Sequence, residues 1–309
     1  MIEARFYSQL YGLELSVPPV DLDEGVLLYP DEQEWGWIER ADVSEERGPA
    51  GNARLACHRL VSEDADYEVL AGPVWAEARA KAADVVLALR LHKPGDVRDW
   101  WLVGSTLVTP HDGFVQRRVG RYRQWEPHVP GSRRYRLEDA DVEPVRRLTV
   151  LCRRYRSSDA ENFSTTIALE NFGLSYGPWL TDSDRLTMLF TAVEAVFGGF
   201  REHDHAGVSL AERAAIAVGG PAGPDAEVRL FWAGPARSLR NRVAHAGLPD
   251  DEESAAAVEA VRATLRPALA SYVAWSLAAR PSGTTPRDGF NAALVAASRG
   301  DAVAADLLW

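Results

Sequence analysis

Apolar and polar residues alternate along several short segments in the first 140 residues of the chain. A period of two places successive side chains on opposite faces of a strand, so this pattern predicts strands between Gly, Pro and Asp turns. One longer segment, 73–93, carries apolar residues at helical spacing, with Pro73 suited to its first turn and Pro94 just after its end. The predicted strands are 13–22, 25–30, 35–40, 53–61 and 100–109. Residues 1–140 are expected to form a mixed module in which this helix covers a sheet.

Beyond residue 140 the alternation gives way to apolar residues spaced about 3.6 apart, the period of one buried helix face. A proline inside the longest of these segments, Pro267, is expected to kink or break it. The predicted helices are 144–155, 162–173, 184–200, a helix starting at Pro235, 250–280 and 288–300. The sequence therefore predicts an α+β protein with an N-terminal strand and helix module at 1–140 and an all-α helical bundle at 141–309.

Composition narrows the class of protein further. The net charge of -11 argues against a protein that coats nucleic acid through bulk positive charge. No apolar run approaches the roughly 18 residues that a membrane span needs, and no signal peptide is visible at the N-terminus. Two distant cysteines, Cys57 and Cys152, suit a reducing compartment better than a disulfide framework. We expect a cytoplasmic protein with no membrane partner.

One segment, the basic tract, is locally basic although the whole chain has a negative net charge. Residues 117–156 hold twelve arginines and five acidic residues, a balance of 12 - 5 = +7. Aromatic residues are interleaved with the arginines, a composition typical of RNA-binding surfaces. The alternative is a solvated surface, because Lys81 and Lys93 are the only lysines and arginine serves as the general cation of this chain. The aromatic residues are Tyr122, Trp125, Tyr135 and Tyr155, and the arginines predicted to bind RNA are Arg133, Arg134, Arg153 and Arg154.

The most distinctive candidate site lies on the helix that starts at Pro235. At 100° per residue, Arg237, Asn241 and His245 fall within one arc of this helix, and Arg240 extends the arc to about 140°. A titrating imidazole can move a proton while a guanidinium stabilises charge on phosphoryl oxygens. The helix is expected to end just after His245, and a basic last turn is also what any helix C-terminus favours. The arc is therefore either a site or a solvated face.

The opposite side of this helix carries Leu239 and Val243, which are expected to form its buried stripe. Asn241 precedes His245 by four residues, so its side chain can hydrogen-bond the imidazole and orient it. Elsewhere, His203, Asp204 and His205 lack a third spaced ligand, and no metal site is predicted there. Sheet or core packing is the expected role of Trp35, Trp37, Trp100 and Trp101.

The segment 240–245, RNRVAH, resembles the R-x4-H signature of the HEPN superfamily, including the polar residue directly after the arginine. The segment 168–200 is similar to the family's first helix, its aromatic-rich turn and a second helix with a Val-Glu-Ala core around Glu194. The layout is closest to the Apea-like branch, which segment 86–97 also resembles. The resemblance thus covers most of the chain and implies a HEPN-like domain at 141–309.

What the resemblance implies is a metal-independent endoribonuclease without cofactors, in which two protomers pair through their helical domains and cleave RNA by attack of its 2′-hydroxyl. His245 would be the general acid or base, Arg240 the phosphate clamp and Asn241 the orienting group. Arg237 would extend the phosphate contact, and Glu194 would hold Arg240, unless it is merely a solvent-facing helix charge.

The resemblance leaves two functions open. The first is an RNase effector in defence or stress, in which an unidentified trigger acts on the N-terminal module and the helical domain cleaves RNA. The second is a non-catalytic dimerisation module that binds a nucleotide or a partner through the same arc. The intact Arg240 and His245 favour the enzyme.

Overall fold

The chain forms two compact units, residues 1–153 and 154–309. Residues 140 and 141, where the sequence predicts the domain boundary, lie in the first turn of the helix Asp139–Ser157. The computed structural model describes residues 2–17, 20–23, 26–30, 53–61, 67–108, 116–123, 134–158, 163–177, 179–199, 208–246, 252–278 and 285–308.

The N-terminal unit is built on an antiparallel sheet of six strands in the order β3-β4-β5-β1-β6-β7. The first strand lies inside the sheet, between β5 and β6, and a register shift follows its Gln9. A separate parallel pair joins β2 to β8. The strands are β1 (Ile2–Tyr11), β2 (Leu13–Leu15), β3 (Val20–Asp23), β4 (Val26–Pro30), β5 (Ala53–Val61), β6 (Arg98–Val108), β7 (Gln116–Arg123) and β8 (Tyr135–Leu137).

One long helix, α1 (Tyr67–His92), contacts β1, β5 and β6. Its Ala82 and Val85 belong to one buried cluster with Val26 and Leu28 of the sheet. The helix begins before the predicted start at residue 73, so the expectation that Pro73 lies in its first turn is wrong. Burial of an apolar helix face outweighs the local signal of one proline near the N-terminus.

The predicted strands agree with the structure where it describes them, except that segment 13–22 forms two short strands, β2 and β3. Segment 35–40 lies outside the described residues. Three strands have no counterpart in the prediction: β1, β7 and β8. Two of these, β7 and β8, belong to the basic tract, so part of that tract is the edge of a sheet.

The C-terminal part of the chain is helical. The helix α2 (Asp139–Ser157) precedes it, and a short 3-10 turn at Gly220–Ala222 follows α5. Pro267 lies inside α8 (Glu252–Ala278), which continues through it, so of the two predicted effects, a kink or a break, the break does not occur. The other helices are α3 (Phe163–Leu174), α4 (Asp182–Phe197), α5 (Leu210–Gly219), α6 (Ala226–Ala233), α7 (Pro235–Ala246), α8 (Glu252–Ala278), α9 (Pro286–Ser298) and α10 (Ala302–Leu308).

Side-chain caps define where several of these helices begin. Thr181 accepts a hydrogen bond from the Asp184 amide and Asp184 accepts one from the Thr181 amide, a capping box that opens α4. Asp225 accepts from the Val228 amide at 3.0 Å and opens α6. The Asp225 cap therefore specifies locally where α6 begins, and α6 leads into α7, the helix that carries the candidate site.

In the part of the chain that the structure describes, no helix combines the length and the apolarity that crossing a membrane requires.

Candidate functional site

The candidate site lies on α7, which begins at Pro235 and has Ala246 as its last described residue. Proline suits the first helical position because it needs no amide hydrogen there. Leu239 is buried as predicted, together with Ala236, whereas Val243 is only half-buried, so the predicted buried stripe is confirmed in part. The helix packs mainly against α4 and α6. The opposite face is consequently left toward solvent.

A buried tryptophan fixes the helix that leads into α7. Trp232 in α6 is 2% exposed, and its indole nitrogen donates to the Thr264 hydroxyl of α8 at 3.0 Å. Its ring also meets the edge of Phe190 in α4, with 6.3 Å between the centroids. A buried indole N–H needs such a partner, and the bond fixes its position along α8. The α6 and α7 pair is thereby anchored to two longer helices.

The predicted arc is exposed in the structure. Arg237, Asn241 and His245 are all exposed, and they follow one another on the face opposite Leu239. Among the described residues, no side chain hydrogen-bonds Asn241 or His245, so the expected bond between these two is not formed. The orienting role of Asn241 stays a prediction. His245 lies in the last turn of α7, the negative end of the helix dipole.

Arg240 sits at the border between the arc and the helix interface. Its Nη2 donates to Glu194 Oε1 of α4 at 3.0 Å, so the contact that the sequence suggests between these residues is present. Their side chains are 39% and 35% exposed, which keeps the pair accessible to water and ions. An ion pair this exposed contributes about 0.2–1 kcal/mol to stability, so it orients Arg240 more than it stabilises the fold.

A second ion pair flanks the site and has no counterpart in the prediction. Arg242 donates to Glu253 of α8 at 3.5 Å, and both side chains are more than half exposed. The acidic residues at the start of α8 are visible in the sequence, but their contact with α7 is a tertiary contact that the sequence pattern does not show. The described part of the site therefore carries Arg237, Arg240, Asn241 and His245, with Glu194 beside Arg240, and the Arg242–Glu253 pair lies next to it.

The basic tract is only partly accessible. Tyr135 and Tyr155 are buried, so these two aromatic residues do not belong to an exposed surface of the tract. Arg134 and Arg154 are exposed and Arg153 is half-buried, whereas Arg133 and Trp125 lie outside the described residues. RNA binding by these arginines stays a prediction.

His203, Asp204 and His205, where no metal site is predicted, lie outside the described residues. In the described ranges, no group of three or more His, Cys, Asp and Glu residues is arranged to hold a metal ion. The described site itself offers an imidazole, guanidinium groups, an amide and the carboxylate of Glu194.

Comparison with known proteins identifies no relative of this chain. No protein-family model matches the chain, and neither a curated protein nor a solved structure matches it significantly. The resemblance to HEPN proteins thus stays a prediction from the R-x4-H segment and the helices around it.

Proposed function

We propose that the chain is a metal-independent endoribonuclease of the HEPN type that uses α7 as its catalytic helix. The observation that carries the proposal is the arrangement on α7: Asn241 and His245 are exposed on one arc, and Arg240 beside them is held by Glu194. An anionic substrate can reach this arc because its groups are not buried.

The proposed reaction is attack of the RNA 2′-oxygen on the adjacent phosphorus. His245 acts as general base or acid: the 2′-hydroxyl loses its proton, the new oxygen–phosphorus bond forms, and the 5′-oxygen leaves with a proton. The products are a 2′,3′-cyclic phosphate and a 5′-hydroxyl. Arg240 stabilises the charge on the phosphoryl oxygens, and Arg237 extends the phosphate contact. Positioning and proton transfer suffice because RNA carries its own nucleophile.

We further propose that two copies of the helical region pair, so that two α7 helices share one cleft in the cytoplasm. A two-fold axis brings the same surface of both protomers together, which doubles the arginines and histidines around one RNA strand. The N-terminal unit would respond to an unidentified trigger in defence or stress. Analytical ultracentrifugation at micromolar concentration tests the pairing, and a monomer would contradict it.

The proposal is tested by cleavage of a labelled single-stranded RNA with the full chain in excess EDTA. We expect cleavage of RNA and none of DNA. His245→Ala removes proton transfer and lowers the rate by about 10² to 10⁴. Arg240→Ala leaves the developing charge unpaired and lowers it by about 10² to 10³. Arg242→Ala is the matched control, because it removes the same charge from α7 outside the proposed machinery; it should cut within about threefold of the wild type.

The alternative function, a module that binds without cutting, is favoured by one observation. The Arg240 guanidinium is already engaged by Glu194, which reduces the charge it offers to a phosphate. If wild type and His245→Ala bind RNA equally and neither cuts it, the binding module is the better account. Cleavage that EDTA abolishes and magnesium restores would contradict the proposed mechanism.

A further inference from the structure

Arg237 differs from the other arginines of α7 in the charges that surround it. Arg240 pairs with Glu194, and Arg242 pairs with Glu253. Among the residues that the structure describes, no acidic side chain forms an ion pair with Arg237, and this arginine is exposed. A positive charge that is exposed and not neutralised attracts anions. On the described surface of α7, Arg237 is therefore the arginine whose charge is most available to a ligand.

The position of Arg237 in α7 is unfavourable for a cation. The Ser238 amide donates to the Gly234 carbonyl at 3.2 Å, and Arg237 lies within the turn that this bond closes, the first turn of the helix. This turn contains no acidic residue. The N-terminal end of a helix carries a partial positive charge, which repels an arginine there. The dipole thus favours His245 in the last turn but not Arg237, and a bound anion would relieve the repulsion at Arg237.

The backbone that carries Arg237 is held in place by its neighbours. Ala236, directly before it, is fully buried, and Leu239, two positions after it, is 5% exposed. A side chain that starts from a packed helix binds a ligand more precisely than one on a loop. A Cβ added to Gly234, just before the helix, would meet no atom within 4 Å. The first turn is therefore not covered on that side, and an anion can approach Arg237 from solvent.

Arg237 lies too far along α7 to share the phosphate that Arg240 and His245 would hold. It precedes His245 by eight positions. At about 1.5 Å per residue, these positions span about 12 Å along the helix axis. Each Cα–Cβ bond of a helix tilts toward its N-terminus, so that of Arg237 tilts away from His245. The two residues are nevertheless about 80° apart around the axis, on one exposed face with Asn241 between them. An RNA strand that follows this face from His245 therefore presents a different phosphate to Arg237.

We propose that Arg237 forms a second phosphate subsite, which binds single-stranded RNA at least one phosphate away from the bond that is cut. The inference rests on the proposed function, because cleavage at His245 defines which phosphate is the scissile one. It adds that Arg237 takes no part in the chemical step. Its contact is equally strong in the bound substrate and in the transition state, so it lowers KM and leaves kcat unchanged. An RNA too short to reach the subsite gains nothing from Arg237.

The first experiment measures binding of the full chain to a fluorescein-labelled 12-mer of 2′-O-methyl uridine by anisotropy over a range of salt concentrations. This probe has no free 2′-hydroxyl and cannot be cut by the proposed reaction, so binding and cleavage are tested separately. Arg237→Gln should flatten the slope of log K against log salt by about 0.7, the value for one lost phosphate contact. Arg242→Gln is the matched control, because it removes the same charge from the same helix. Glu253 already neutralises that charge, so the slope should stay that of the wild type.

The second experiment locates the subsite by cleavage. The substrate is a 2′-O-methyl RNA with one ordinary ribonucleotide, which fixes the cut, and single phosphates near the cut are replaced in turn by uncharged methylphosphonates. For the wild type, replacement at one linkage other than the scissile one should raise KM about 2- to 5-fold, the range for an exposed ion pair. For Arg237→Gln the same replacement should have no effect, because the contact is already absent. A dinucleotide that carries only the scissile phosphate should be cut equally by both proteins.

A surface arginine that only keeps the protein in solution would give different results. No binding of the probe at low salt, equal slopes for the wild type and Arg237→Gln, or equal flattening by Arg242→Gln would overturn the proposal. A fall in kcat at unchanged KM would also overturn it, because Arg237 would then act at the scissile phosphate.

The melting temperature of the free protein separates binding from a structural role. Arg237→Gln should leave it unchanged or raise it slightly, because an unfavourable charge leaves the first turn of α7. A lower melting temperature would show that Arg237 stabilises the helix, which contradicts the proposal. If the wild type binds RNA without cutting it and Arg237→Gln alone flattens the slope, the proposed cleavage fails and the phosphate contact of Arg237 stands. If the wild type cuts RNA and Arg237→Gln changes neither slope nor KM, the subsite fails and the cleavage stands.

Discussion

Replacing Asp141 with asparagine should destabilise the N-terminal unit at neutral pH and have little effect below pH 2. Asp141 in the first turn of α2 accepts hydrogen bonds from His92 Nε2 at 2.9 Å and from the Lys93 ammonium, both at the end of α1. It also accepts one from the Glu138 amide at 2.9 Å. The carboxylate therefore joins two segments that lie far apart in sequence, and asparagine offers no charge to the Lys93 ammonium.

The magnitude follows from the pKa of Asp141. Burial raises this pKa, but the hydrogen bonds from Lys93, the Glu138 amide and His92, with the charge of Lys93, lower it from 3.8 to about 2. That difference corresponds to about 2.4 kcal/mol of stability. Lys93 is 30% exposed, and solvent screening reduces the expected loss to about 1–2 kcal/mol. Because the pKa is depressed in the folded state, the contribution is complete above about pH 4 and is lost between about pH 4 and pH 2.

Urea unfolding of the full chain, followed by pulsed hydrogen exchange on peptides from α1 and α2, separates this unit from the helical one. Asp141→Asn should lower the unfolding free energy at pH 7, and the difference from wild type should shrink towards zero at pH 2. Glu143→Gln on the same helix is the control, since Glu143 is 64% exposed and pairs only at the surface with Arg146. Equal effects of both variants, or a difference that persists unchanged at pH 2, would refute the reasoning.

The remaining predictions concern single contacts. Glu194→Gln should change the free energy of unfolding by less than about 1 kcal/mol, because the ion pair is partly exposed. It should nevertheless slow RNA cleavage several-fold, because Arg240 loses the charge that orients it. Equal cleavage rates of the wild type and Glu194→Gln would contradict this. Trp232→Phe should cost about 1–3 kcal/mol in chemical denaturation, because the indole bond to Thr264 is buried, and an unchanged midpoint would show that it contributes nothing. Gly12→Ala should prevent or strongly impair folding, since φ is 72° and a Cβ would lie 2.1 Å from the Asp96 carbonyl oxygen, whereas Gly234→Ala should fold normally because nothing lies within 4 Å.

The sequence predicts those features whose signals are local. The buried stripe of α7 follows from the spacing of Leu239 and Val243, and the start of the helix follows from Pro235. The contact of Glu194 with Arg240 could be suggested from the helices that the segment resembles, but its distance could not. Local periodicity therefore identifies the helix and its two faces, while the side-chain pairs that hold it depend on the packing of other helices.

The features that sequence reasoning missed depend on distant partners. The strand β7 is rich in arginine and has weak strand propensity, yet eight of its residues pair with β6. Its strand conformation comes from the ladder with β6, because tertiary pairing overrides propensity. Tyr135 belongs to the same basic tract but is buried, since its ring packs against the cation of Lys93 and beside His92. A charge count along the chain cannot distinguish this tyrosine from an exposed one.

The proposed active site on α7 uses the 2′-hydroxyl of RNA as its nucleophile. The most direct test incubates the full chain with RNA in EDTA, maps one cut, and repeats the reaction with a single 2′-O-methyl group on the nucleotide 5′ to that cut. The account predicts a 2′,3′-cyclic phosphate at the cut of the unmodified RNA, no cut at the modified position, and no cut of either RNA by His245→Ala. A cut at the modified position, or equal cleavage by His245→Ala, would contradict it.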